Sequence, residues 1–290
     1  MGVRPRPPIP PRERRLLYVS NIGTANITIF DISNPLFPSP IRQFGSGDLS
    51  TPGGMAITGT TLYVANAGGD QAIDIYNISD PTKPVRIRQF GEGDLNNPNA
   101  LAIIGTTLYV TNLNGNNVEI YDIFNPRFPV RVKEFGNGEL VGPNGLVIKG
   151  NILYVSNSRD NTVEIYNISD PINPVNITQF GSTDLSNPIG LAITGNTLYV
   201  ANFQSAGGNT VEIYNISNPV LPTRVTEFGG TGVLNGPTEL AITGNILYVV
   251  NLNSNNIEIF DISNPTMPVR EREFNGDLST PFGLIIVPVV

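Results

Sequence analysis

The chain of 290 residues has no cysteine, no histidine and no tryptophan. Without Cys there is no disulfide, no thiol nucleophile and no thiolate metal site, which excludes the small disulfide-stapled scaffolds. Without His, the commonest acid–base group and the commonest metal ligand are both missing. Charge is sparse at 14%, with a net of −7, so no basic face for nucleic acid is expected. No apolar run approaches the roughly 18–20 residues of a membrane-spanning helix.

Gly (30) and Pro (25) are plentiful and recur at fixed positions, as turns between short strands do. The triplet Leu-Tyr-Val begins at Leu17, Leu62, Leu108, Leu153, Leu198 and Leu247, with spacings of 45, 46, 45, 45 and 49 residues. Each copy reads as four strands. In the fourth these are Asn144-Gly-Leu-Val-Ile148, Asn151-Ile-Leu-Tyr-Val155, Thr162-Val-Glu-Ile-Tyr166 and Val175-Asn-Ile-Thr-Gln-Phe180. Four short strands per period of about 45 select a β-propeller over a sandwich or barrel. All ten Tyr fall in two columns, and Phe44, Phe90, Phe135, Phe180, Phe228 and Phe274 end the fourth strands as core filler. Phe37, Phe124, Phe128, Phe203 and Phe282 lie outside the columns.

The expected fold is all-β: a six-bladed β-propeller of four-stranded antiparallel blades. The chain opens on a second strand at residues 16–20, so the C-terminal strand, residues 282–288, supplies that blade's inner strand and closes the ring. Residues 16–290 then form the propeller, and residues 1–15 an N-terminal arm that is disordered or docks a partner. The arm holds five Arg, one Glu and five Pro; its +4 leaves −11 for the remainder. Arg4, Arg6, Arg12, Arg14 and Arg15 are its candidate docking residues. It lacks the apolar stretch of a secretory signal and the Ser/Thr of a myristoylation motif.

The charges repeat too. Asp74, Glu119, Glu164, Glu212 and Glu258 share a third-strand column, and Arg88, Lys133, Thr178, Thr226 and Arg272 follow fourteen residues later. The constant offset predicts opposed cross-strand pairs that stabilise the sheet. Asn21, Asn66, Asn112, Asn157, Asn202 and Asn251 begin the loop between second and third strands, which suggests a turn role. Asp48, Asp94, Glu139, Asp184 and Asp277 recur in the other loop of the same face, where Val233 departs.

Ile75-Tyr-Asn-Ile-Ser-Asp-Pro81 followed by Pro84-Val85 resembles the LVIVD repeat. Leu108-Tyr-Val-Thr-Asn112 with Asn117-Val118 resembles the YVTN repeat of surface-layer-type propellers. Pro188-Ile-Gly-Leu-Ala-Ile193 leading to Leu198-Tyr-Val-Ala-Asn202 resembles the NHL repeat. These resemblances cover residues 16–290. They imply a propeller, binding or display more often than catalysis, and a cell-surface or extracellular setting. None supplies a catalytic motif.

Departures from six-fold regularity mark the functional candidates. Glu239 stands where other copies have Gly54, Ala100, Gly145, Gly190 and Gly283, at the mouth of the central channel. Beside it come Asn99, Asn144, Thr238 and Phe282, and the lengthened fifth-copy loop adds Phe203 and Gln204. The residues favour a non-catalytic binding or scaffolding propeller, presenting this top face to a protein or small ligand without a cofactor. One alternative is a calcium-dependent lactonase-type hydrolase or lyase, with Glu239, Asn99 and Asn144 as ligands and a metal-activated water. Another is a carbohydrate binder, which the lack of Trp disfavours.

Overall fold

The computed structural model describes residues 14–203, 209–230 and 232–288, which form twenty-four strands and no helix. No helix is therefore long and apolar enough to cross a membrane. The strands make six four-stranded antiparallel sheets, each running in sequence order from inner to outer edge, with one exception. In blade 1 the strand Arg15–Asn21 lies second, and Pro281–Pro288 is its inner neighbour. Leu17 pairs with Ile286 and Val19 with Leu284. Ring closure is as the sequence predicts, with each end of the two strands placed within a residue or so.

The middle strands are buried on both faces because every blade has a neighbour on each side. This is why Leu-Tyr-Val shows no apolar–polar alternation: Leu17, Tyr18 and Val19 are all buried. Six apolar clusters fill the gaps between neighbouring blades. Outer strands such as Val130–Phe135 are largely exposed and carry charges, the usual defence of a free sheet edge.

Two six-fold devices join the blades. Each outer-strand Phe meets the third-strand aromatic of the next blade edge-on; Phe135 and Tyr166 have ring centroids 4.9 Å apart at 75°. The series closes on Phe274 and Phe30, at 4.8 Å and 87°. The second device was hidden in the sequence. Each Tyr of Leu-Tyr-Val donates its hydroxyl to the carbonyl of a proline in the next blade's lower turn. Tyr109 reaches Pro171 at 2.6 Å and Tyr154 reaches Pro219 at 3.0 Å. Tyr18, Tyr63 and Tyr199 bond Pro81, Pro126 and Pro265 in the same way. Tyr248 closes the circle onto Pro35 at 2.8 Å. Tyr109→Phe leaves that carbonyl without its donor, so a loss of about 1–2 kcal/mol is expected in urea unfolding, with an unchanged m-value.

Candidate functional site

At the top of the ring the inner strands approach closely. A Cβ added to Gly145 would lie 2.2 Å from the carbonyl oxygen of Ile189 on the next blade, and one at Gly190 would lie 2.5 Å from that of Thr238. Glycine is required there by contact rather than by backbone angle. Hydroxyls stitch these strands together. Ser156 Oγ accepts the Gly145 N–H at 2.7 Å and donates to the Ile189 carbonyl at 2.6 Å. Thr111 links Ala100 to Asn144 in the same manner. These two residues were not singled out from sequence, because their column reads simply as small residues. Their visible signal is a hydroxyl just before the loop asparagine.

Thr238 is buried and donates its own hydroxyl to the Phe282 carbonyl at 2.8 Å. Glu239, Thr238 and Phe282 are thus brought together where blade 6 meets blade 1. Asn99 and Asn144 sit on adjacent blades 3 and 4, on the far side of the channel, and both are buried. Asn144 Oδ1 has no hydrogen-bond partner. Glu239 lies over Gly190, its Oε1 3.0 Å from where a Cβ there would stand, and accepts the Leu240 N–H at 3.1 Å. Burial pushes its carboxyl up to about 8. It is only partly buried, and no described residue pairs it with a cation. Phe203 packs against Gly236 of the next loop. Gln204, Arg4, Arg6 and Arg12 lie outside the described residues. Arg14 pairs with Asp31 at 3.1 Å. Arg15 opens the blade 1 strand and bonds the Thr243 hydroxyl, at the end of the ring away from Glu239.

The expected charge pairing needs correction. Asp74 faces Gln89, not Arg88, and its ion pair is with Arg86 at 2.7 Å. Likewise Glu119 binds Arg131, Glu212 binds Arg224 and Glu258 binds Arg270, all at 2.7–2.8 Å. A bulge explains the offset of twelve. It adds one residue to each outer strand, so that Arg86 and Gln89, three apart, face the same side as Asp74. Arg88 faces the other way, its guanidinium 5.1 Å above the Phe128 ring. The carboxylates of this column are almost fully buried. Burial raises the pKa of Asp74 and pushes Glu119 and Glu212 up to about 7, against the pull of their arginines.

Asp48 and Asp94 point outward, each 3.9 Å from the arginine of the next blade. The six loop asparagines do more than shape a turn: Asn157 Oδ1 accepts the N–H of Val141 at 2.7 Å, pinning the loop sixteen residues earlier in the chain. Among the described residues no group of three His, Cys, Asp or Glu side chains is arranged to hold a metal ion.

The lower rim breaks symmetry as well. In the turn between third and outer strands five blades have Ser33, Ser79, Ser169, Ser217 and Ser263; blade 3 has Phe124. Phe124 is 82% exposed, and Phe128 and Val130 of the same blade are exposed beside it. A groove of about 700 Å³ runs past Arg88, Arg127 and Phe128.

The LVIVD repeat matches residues 238–275, which span blade 6 from inner to outer strand. No curated protein matches the sequence. Among solved structures the chain is similar to a candidate 6-phosphogluconolactonase from Bacteroides fragilis (15% identity, TM-score 0.72, covering 97% of this chain and 100% of that one). A chain of a nidogen/laminin complex aligns at 17% identity and TM-score 0.69, covering 94% and 98%. The periplasmic gluconolactonase of Pseudomonas aeruginosa aligns at 14% and 0.68, covering 97% and 87%. At these identities the likeness is one of fold, which hosts many unrelated functions. With the LVIVD repeat in blade 6 and six four-stranded sheets in the ring, the chain is a six-bladed β-propeller that contains an LVIVD repeat.

Proposed function

We propose that this propeller is a non-catalytic binding module that docks a protein through the lower rim of blade 3. The observation that carries the reading is Phe124, a large apolar side chain held in water where five sister blades place serine. Phe128, Val130 and the guanidinium stacked on Phe128 extend it into an aromatic and cationic patch, the composition found at the centres of protein interfaces. A single exposed apolar residue needs no explanation, but a contiguous patch does. The nidogen/laminin likeness agrees with an interaction role.

A second reading, a lactonase, draws on the two lactonase-related structures and on Glu239 at the channel mouth. A photocrosslinking residue placed at position 124 separates the two. A discrete adduct is expected there and not at position 217, the corresponding serine of blade 5. Phe124→Ser should abolish the association without lowering the melting temperature. Absence of any adduct, together with calcium-dependent lactone hydrolysis that Glu239→Gln abolishes, would reverse the assignment.

A further inference from the structure

Buried carboxylate and arginine travel together around the ring. Blades 2, 3, 5 and 6 have both; blade 1 has neither, with Thr28 and Pro40 at the two positions. Blade 4 alone keeps the acid and loses the base. Glu164 is 4% exposed, and the residue twelve positions on is Asn176. The Asn176 amide reaches Glu164 Oε2 at 3.0 Å and Glu139 Oε2 at 3.3 Å, so two carboxylates share one neutral NH2 group.

Most of the arginine's surroundings is kept, although Glu139 also accepts the Tyr166 hydroxyl at 3.0 Å. In blade 2, Arg86 is held by Asp74, by Gln89 Oε1 at 2.5 Å and by Asp48 of the preceding loop at 3.9 Å. Blade 4 has the matching Glu164 and Gln179, has Asp160 where blade 2 has Asp70, and has Glu139 in place of Asp48. Glu139, Asp160, Glu164, Asn176 and Gln179 line a cavity of about 420 Å³. Thr162, 3% exposed, lies on the same side of the third strand as Glu164. Burial and the neighbouring charges of Glu139 and Asp160 raise the pKa of Glu164, whereas hydrogen bonds from Asn176 and Thr162 lower it. A buried carboxylate without a cation is costly unless something supplies one. The acids are not arranged to coordinate a metal, but they repeat the hydrogen-bonding geometry that sister blades use for a planar guanidinium, a group lysine does not imitate.

We propose that blade 4 is a socket for an alkylguanidinium supplied from outside, an arginine side chain or arginine itself, lodged against Glu164, Glu139, Asp160 and Gln179. It lies on the outer rim, away from both Glu239 and Phe124, and stands independently of the binding role proposed above. The test is an NMR titration of the full chain, following the Gln179 side-chain amide. N-acetyl-arginine amide is expected to produce a saturable shift, with N-acetyl-lysine amide at least tenfold weaker and calcium chloride without effect. Asn176→Arg fills the socket from within. It should abolish the response and raise the melting temperature by about 2 °C or more, the shift of a domain gaining a charge-assisted pair. Glu164→Gln should weaken the response at least tenfold, and serves if Asn176→Arg does not fold. Tighter binding of a Gly-Arg-Gly peptide than of free arginine identifies a partner's side chain as the source; the reverse identifies the amino acid. Equal response to lysine, a response to calcium, or full binding by the Asn176→Arg protein overturns the proposal.

Discussion

Removing residues 281–288 is expected to abolish cooperative folding. That segment is the inner strand of blade 1, and among the described residues the only segment bonded to the inner side of Arg15–Asn21. Its loss exposes Leu17, Tyr18 and Val19, which are fully buried, and discards Leu284 and Val287, which are buried themselves. It also takes the Gly283 N–H from Ser20 Oγ and the Phe282 carbonyl from Thr238. Each buried aliphatic side chain contributes roughly 1.5–3 kcal/mol and each hydrogen bond about 1 kcal/mol. The sum is of order 10 kcal/mol, comparable with the whole stability of a domain. Circular dichroism melts of the truncated chain should lose their sigmoidal transition, and a synthetic peptide of residues 281–288 should restore it in trans. A sharp melt retained by the truncated chain would mean that the ring closes without this strand.

The second large effect concerns Glu239. Its carboxyl is raised to about 8 in the folded protein from 4.5. The folded state therefore binds the proton more tightly than the unfolded chain. The charged form costs nothing below about pH 4.5; the cost grows as pH rises toward 8 and levels off above it. At about 1.4 kcal/mol per pKa unit the full penalty is about 4–5 kcal/mol, and the partial exposure of Glu239 reduces it. Glu239→Gln should match the parent protein near pH 4.5 and become progressively more stable than it up to pH 8–9. Other buried acids, Asp74, Glu119, Glu164 and Glu212, are shifted in the same direction. Their contribution is common to both proteins and cancels in the difference. A gap in melting temperature that stays constant from pH 5 to 9 would show Glu239 to be an ordinary solvated carboxylate.

Some errors of the sequence reading are as instructive as its successes. The columns of Tyr, Phe and acid were visible because they recur at one spacing. Which Arg met which acid was not visible, because one inserted residue per outer strand changes the side a residue faces. Arg88 and Arg272 therefore read as ion-pair partners, yet each lies over an aromatic ring, Phe128 and Phe37 respectively. Asp48 and Asp94 were visible as a recurring loop column, but only the structure shows that each side chain lies 3.9 Å from an arginine of the next blade. Phe124 and Phe128 were noticed as off-column, but only their exposure distinguishes a binding patch from core.

Blade number, strand content, closure and the positions that depart from symmetry all follow from the sequence alone. Each is a statement about spacing, and spacing along the chain is what a repeat preserves. Only the tertiary structure decides what crosses from one blade to the next: the tyrosine-to-proline latch over sixty residues, the hydroxyl bridges between inner strands, and the socket that Glu164 shares with Glu139 of the preceding loop. Those contacts join residues far apart in sequence, and the bulges and ring curvature that bring them together come from backbone geometry rather than from the pattern of residue types.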